Sequence, residues 1–271
     1  MINKNVKNIG YLIILFLFIH VKEIVAPAAY CQDNELLNDI TFTTECQVSV
    51  ADITITGRSA SSKTIFTAKA SSRHYAVTAA KTLSLTYIEL KGGDKSAGDG
   101  GSIAIIAGGT FICNHCAFTS NSAKTGGAIF SNHASATITL TDVLFSSNTA
   151  TIAGGAMYIE NVDTLTVGGT ALLGTNFLSN SVAASTGQLT YGGGAVYIKA
   201  VGTTASFTHT RFHKNKDFNA ESHVIASYGT ANDKISFLSD ISINTCSGCD
   251  SKQNILQQGS GSNLAFSIWD G

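Results

Sequence analysis

Apolar and polar residues alternate with period two in a series of short segments. The clearest are Val48 to Thr56, Leu83 to Leu90, Ala136 to Thr141, Ala195 to Lys199 and Lys234 to Ile243. Each is rich in β-branched residues and closed by glycine or small polar residues, the pattern of strands with one buried face. Helical periodicity is nearly absent beyond the first thirty or so residues. The chain is therefore expected to be all-β.

Two short words recur between these segments. Phe-x-x-Asn occurs at Phe118/Asn121, Phe145/Asn148, Phe177/Asn180 and Phe212/Asn215. Gly-Gly-Ala-aliphatic occurs at Gly126-Gly127-Ala128-Ile129, Gly154-Gly155-Ala156-Met157 and Gly193-Gly194-Ala195-Val196, and Gly100-Gly101-Ser102-Ile103 is a weaker copy. The glycine words advance by 26, 28 and 39 residues, and the Phe words by 27, 32 and 35. Both move in one register, so the unit is one coil of 26–28 residues. The extra length falls beside Leu172 to Gly174 and Ser181 to Tyr191, as loop insertions on a solenoid do.

The expected fold is a right-handed, single-stranded parallel β-helix of roughly eight coils, stacked at ~4.8 Å with strands hydrogen-bonded from coil to coil. Each motif Phe then points inward and stacks on its copies. Each motif Asn faces a turn, where amides bond up a ladder and where Asn also tolerates left-handed backbone. The glycine pair supplies a tight bend and close approach of neighbouring coils.

Composition adds boundaries. Lys4 and Lys7 precede the apolar run Tyr11 to Ile19, and Ala26-Pro27-Ala28 supplies small residues at alternate positions. That reads as a signal peptide over 1–28, since the run is shorter than the ~20 apolar residues of a bilayer span. The expected divisions are then 29–82 as irregular coils or a cap, 83–249 as the repeat β-helix, and 250–271 as a C-terminal cap or truncated end. With 17 basic and 18 acidic residues the net charge is −1, which offers no basic excess for nucleic acid. The basic stretch His209, Arg211, His213, Lys214 and Lys216 reads as a solvated turn. Six cysteines fit an oxidising compartment.

The alternating words behind a signal peptide resemble the repeats of the chlamydial-type polymorphic outer-membrane proteins. The resemblance covers about residues 83 to 215. It implies a β-helical passenger at the cell surface with a role in adhesion. The bacterial family also carries a C-terminal barrel, and only 56 residues follow Asn215, too few for one at about 10 residues per strand. Membrane association is thus expected to be peripheral or through an external anchor.

Candidate chemistry is sparse. Cys113-Asn114-His115-Cys116 and Cys246-Ser247-Gly248-Cys249 have zinc-ligand spacing. Counting back from the motif Phe places Cys116 in the core and Cys113 outward on a straight strand, which favours disulfides or buried thiols over a metal site. Cys31 and Cys46 are a further possible pair, although spacing does not fix connectivity. A β-helix also suits polysaccharide lyases and hydrolases, which need convergent carboxylates. Asp142, Glu160, Asp163 and Asp217 do not recur at coil spacing; Glu160 and Asp163 are the nearest acid pair and read as a solvated turn. His115 and His133 read as surface residues. No catalytic residue, metal or cofactor is expected. The expected function is adhesion or surface structure, with an extracellular protein or glycan as partner and the Ser181 to Tyr191 loop carrying specificity. A carbohydrate-active enzyme is the alternative.

Overall fold

A computed structural model describes residues 29–183 and 193–216, together with the backbone of the later strands Ile225–Tyr228, Ile235–Leu238, Ser242–Asn244 and Ile255–Gln258. The proposed signal peptide, most of the Ser181 to Tyr191 loop, Asp217 and the second Cys-x-x-Cys word lie outside the described residues.

The chain is an all-β solenoid of parallel strands. Four sheets, named I to IV here in the order the chain visits them, run along it. One full coil comprises Thr137–Thr141 in sheet I, Leu144–Ser146 in sheet II, Thr149–Ala153 in sheet III and Met157–Asn161 in sheet IV. Sheets I, II and IV each have eight strands and sheet III has four, Asp94–Asp99 to Ser181–Val182. Each strand pairs in parallel with its equivalents in the coils before and after, for example Ile138 with Phe111 and Leu165.

The coil count departs from the roughly eight expected. Regular four-sided turns number about five: the four with a sheet III strand, and one joined to them by the Ser181–Lys216 bridge. The first two coils are three-sided, because each passes from sheet II to sheet IV without a sheet III strand.

Alternation along the strands fills the interior. In sheet I, Leu83, Leu85, Phe111, Ile138, Leu140, Leu165 and Val167 are fully buried, while their strand neighbours, Gly168 excepted, are at least partly exposed. The first coil closes the N-terminal end of the core. Tyr30 stacks on Phe42 at 3.8 Å, its chain neighbour Cys31 is disulfide-bonded to Cys46, and the Tyr75 hydroxyl donates to the Tyr30 carbonyl at 2.8 Å.

Corners are made by single residues in left-handed backbone. Tyr87, His115 and Asp142 (φ 57°, 52° and 53°) turn the chain from sheet I to sheet II. Ser120, Ser147, Ser179 and Lys214 (φ 53° to 56°) turn it out of sheet II. The left-handed residue is therefore the one before the motif Asn, not the Asn itself. The physical reason is that the Asn side chain must enter the corner, so the preceding residue absorbs the bend.

Candidate functional site

The motif residues assemble into three ladders. Phe118, Phe145, Phe177 and Phe212 are buried and stack ring on ring at 4.9, 4.7 and 4.8 Å, with interplanar angles of 6°, 3° and 9°. The centroid spacing is the strand spacing itself, so parallel pairing brings these rings into contact with no rotamer adjustment between coils.

The Asn ladder lies beside it. Nδ2 of Asn121 donates to Oδ1 of Asn148 at 3.0 Å, Asn148 to Asn180 at 2.9 Å, and Asn180 to Asn215 at 2.9 Å. Each Oδ1 also accepts the backbone N–H of the preceding Asn, at 3.1, 3.0 and 2.9 Å. The second amide hydrogen goes to a carbonyl one coil back: Leu90 from Asn121, Phe118 from Asn148, Phe145 from Asn180 and Phe177 from Asn215. Four amides buried at the corner thus satisfy themselves and the backbone, as buried polar groups must. At the top of the ladder Asn121 accepts from Gly93 N at 2.8 Å.

The glycines divide the labour. Gly126, Gly154 and Gly193 have φ of 60°, 64° and 71°. Gly127 and Gly155 lie where a Cβ would collide with the carbonyl of the next coil's second glycine. Ala128, Ala156 and Ala195 then enter the core, followed by Ile129, Met157 and Val196, all fully buried. In the two preceding coils Ser102 and His74 hold the place of that Ala, since the chain of backbone bonds runs His74 N to Ser102 O, Ser102 N to Ala128 O and Ala128 N to Ala156 O. His74 is wholly buried. Its Nε2 donates to the Phe66 carbonyl at 2.9 Å and its Nδ1 accepts from the Ser102 hydroxyl at 3.0 Å. Burial holds its ring neutral and lowers its pKa from the ordinary 6.5 to about 4.

A fourth ladder was not anticipated. Phe130, Tyr158 and Tyr197 follow Ile129, Met157 and Val196 and point to the other side of sheet IV. They stack at 5.8 and 4.9 Å and form a small second cluster with Ala104 and Ala153. The signal was present in the sequence: an aromatic stands directly after each aliphatic residue of the Gly-Gly words.

The other candidates are dispersed and engaged. Cys113 and Cys116 are both buried and form a disulfide, with Cα atoms 5.9 Å apart. The outward placement expected for Cys113 is corrected. Left-handed His115 breaks the strand between the two cysteines, so strand parity does not carry across the corner, and this word's sulfurs are not free to bind metal. Cys31–Cys46 is the second disulfide among the described residues. Glu160 pairs with Lys199 at 2.9 Å. Asp163 accepts hydrogen bonds from Thr203 at 2.7 Å, through both backbone N–H and hydroxyl, and from the Thr164 hydroxyl at 3.2 Å. His133 caps its own turn by accepting from Ser135 N at 3.2 Å.

The largest described insertion is anchored by residues the sequence left unexplained. Asp142 Oδ1 accepts from the N–H and hydroxyl of Thr170, at 2.8 and 3.3 Å, and its other oxygen lies 3.6 Å from His115 Nε2. Arg211 donates to the carbonyls of Leu173 and Ala171 at 3.0 and 3.2 Å. The solvated turn expected around Arg211 is corrected as well: Thr210–His213 is a strand of sheet II, and His209 and Lys214 (φ 48° and 55°) form the corners on either side of it. Leu172 stands at the loop tip, 86% exposed.

Among known proteins, the repeat model of the Chlamydia polymorphic membrane protein matches residues 115–132. That stretch holds one Phe-x-x-Asn word and the Gly-Gly word after it, a single unit of the ladders. No curated protein and no solved structure matches the chain.

Proposed function

We infer that the protein is a secreted or cell-surface β-helix whose work is adhesive or structural rather than catalytic. One observation carries this reading. The repeated residues are spent inside the rod, on stacking, amide pairing and close backbone approach, so what remains to act is the outer surface. A polymorphic-membrane-protein-type repeat within a parallel β-solenoid fits a surface protein. Glu160 and Asp163, the nearest acid pair, are held by a lysine and by threonine donors, which is the arrangement of turn residues rather than of a general acid and its base.

Adhesion is then a matter of extended, weak contacts along regular faces, with specificity in the inserted loops. The partner is an extracellular protein or glycan, and two disulfides suit an oxidising exterior. Antibody labelling of unpermeabilised source cells tests the location. Labelling of intact cells is expected, and labelling only after permeabilisation contradicts it.

A further inference from the structure

The outward positions of sheet I form a two-dimensional lattice of hydroxyl groups. Strand pairing sets three parallel files along the rod. The first is Thr82, Thr110, Thr137, Thr164 and Thr204. The second is Thr54, Ser84, Ile112, Thr139, Thr166 and Ser206. The third is Thr56, Thr86, Asn114, Thr141 and Gly168. Eleven of these sixteen residues are Thr and two more are Ser. The files are spaced by two residues along each strand, about 6.6–6.8 Å, and successive coils by about 4.8 Å.

Strand propensity alone does not account for this face. Thr is favoured on any half-exposed strand, yet sheet II, with the same geometry, turns Glu89, Lys91, Leu144, Asn176 and Arg211 outward. From Thr54 to Ser206 the three files carry no charged and no aromatic side chain; the one charge in line with them is Glu35, paired with Thr56 at the N-terminal edge of the sheet. Their hydroxyls are also unspent. Of the thirteen, only that of Thr164 has a hydrogen-bond partner among the described residues, namely Asp163. The hydroxyls of Thr64, Thr119, Thr125, Thr170 and Thr175, away from this face, are all engaged. β-branching restricts each Thr rotamer, so the array is held in place before anything binds.

A flat, uncharged surface, regular in two directions and presenting free hydroxyls beside methyl groups, is complementary to a surface with the same attributes. Both spacings lie close to the oxygen repeats on prism faces of ice. We propose that sheet I is an ice-binding face, on which threonine hydroxyls continue the hydrogen-bond network of ordered water and the methyl groups fill the spaces between. This activity goes beyond the adhesive reading and does not depend on it. A crystalline polysaccharide is the less favoured occupant, because the face offers no aromatic platform on which sugar rings stack.

The test is the purified protein in dilute buffer, scored for inhibition of ice recrystallisation and for enrichment in slowly grown ice. The wild type is expected to slow recrystallisation and to enter the ice. T139K/T166K places two charges in the middle file and is expected to lower both readouts at least tenfold. Thr166→Val keeps shape and strand propensity, so it folds as the parent does, and is expected to weaken them measurably. Ser146→Lys, on sheet II, should match wild type. Circular dichroism confirms folding of each variant. Exclusion of the wild type from ice overturns the proposal, as does equal loss with Ser146→Lys. Retention on crystalline chitin or cellulose, abolished by T139K/T166K while ice is unaffected, overturns it in favour of a polysaccharide.

Discussion

Oδ1 of Asn148 accepts two hydrogen bonds from Asn121, one from the side-chain Nδ2 at 3.0 Å and one from the backbone N–H at 3.1 Å. A single amide thereby fixes both the side chain and the main chain of the coil before it. The same amide donates onward to Asn180 and back to the Phe118 carbonyl. Asn148→Ala therefore strands buried donors of Asn121 and the Phe118 carbonyl together. The expected cost is about 2–4 kcal/mol, since each orphaned buried group costs about 1–3 kcal/mol. Urea denaturation of the variant measures it. Asn148→Asp should fare no better, because a carboxylate cannot donate to Asn180.

The residue before the Asn carries the bend. Ser147 has φ of 56°, a region that glycine adopts freely and L-residues occupy at a cost of about 1–2 kcal/mol. Ser147→Gly is expected to be neutral or to stabilise by up to about 1 kcal/mol. Asn148→Gly, one residue on, should be strongly destabilising. Had the left-handed position been at the Asn, Ser147→Gly would only add backbone freedom and would destabilise, so the sign of its midpoint shift decides between the two placements.

At Gly127 a Cβ would lie 2.7 Å from both Thr149 N and Thr149 O, in addition to colliding with the Gly155 carbonyl. All three are backbone atoms and none can rotate away. Gly127→Ala is expected to cost more than about 2 kcal/mol, at the severe end of overpacking, and Gly127→Val more still. Thermal melting by circular dichroism reads both.

His74 links stability to acidity. Its pKa is about 4 in the folded protein and 6.5 when unfolded. Between these values the unfolded chain binds the proton and the folded chain does not. The contribution is complete above pH 6.5 and lost as pH falls towards 4. At 1.36 kcal/mol per unit the span amounts to roughly 3 kcal/mol. His74→Leu removes this proton linkage, whatever its own packing cost. The difference in unfolding free energy between pH 7 and pH 4.5 should therefore shrink in the variant by roughly 2–3 kcal/mol.

Phe145 sits between two stacked neighbours. Phe145→Ala opens a cavity in the middle of the ladder, with an expected cost of about 3–5 kcal/mol. Its denaturation midpoint should fall accordingly. Retention of wild-type stability would mean that the ring is not packed as described.

Residues that recur at coil spacing were the legible part of the molecule. Phe118 and its copies, the Asn ladder and the glycine bends all follow from the rule that equal positions stack. What escaped was set at the corners, where alternation stops. Cys113 turned inward because His115 breaks the strand, and the left-handed residue proved to be Ser147 rather than Asn148. The outer stack of Phe130, Tyr158 and Tyr197 was visible as a repeated aromatic, but its burial depends on Ile152 and Ala153 of sheet III packing against it, a contact between sheets that strand periodicity does not describe. Asp142 as anchor of the Thr170 loop depends on one insertion in one coil and has no periodic signal at all.

The most direct measurement on the whole account is binding of the purified protein to a glycan array and to intact cells, with release of sugar fragments assayed in the same samples. The account predicts saturable binding with no fragment released. Release of fragments, lost on substitution of Glu160 or Asp163, would contradict it and make the rod an enzyme.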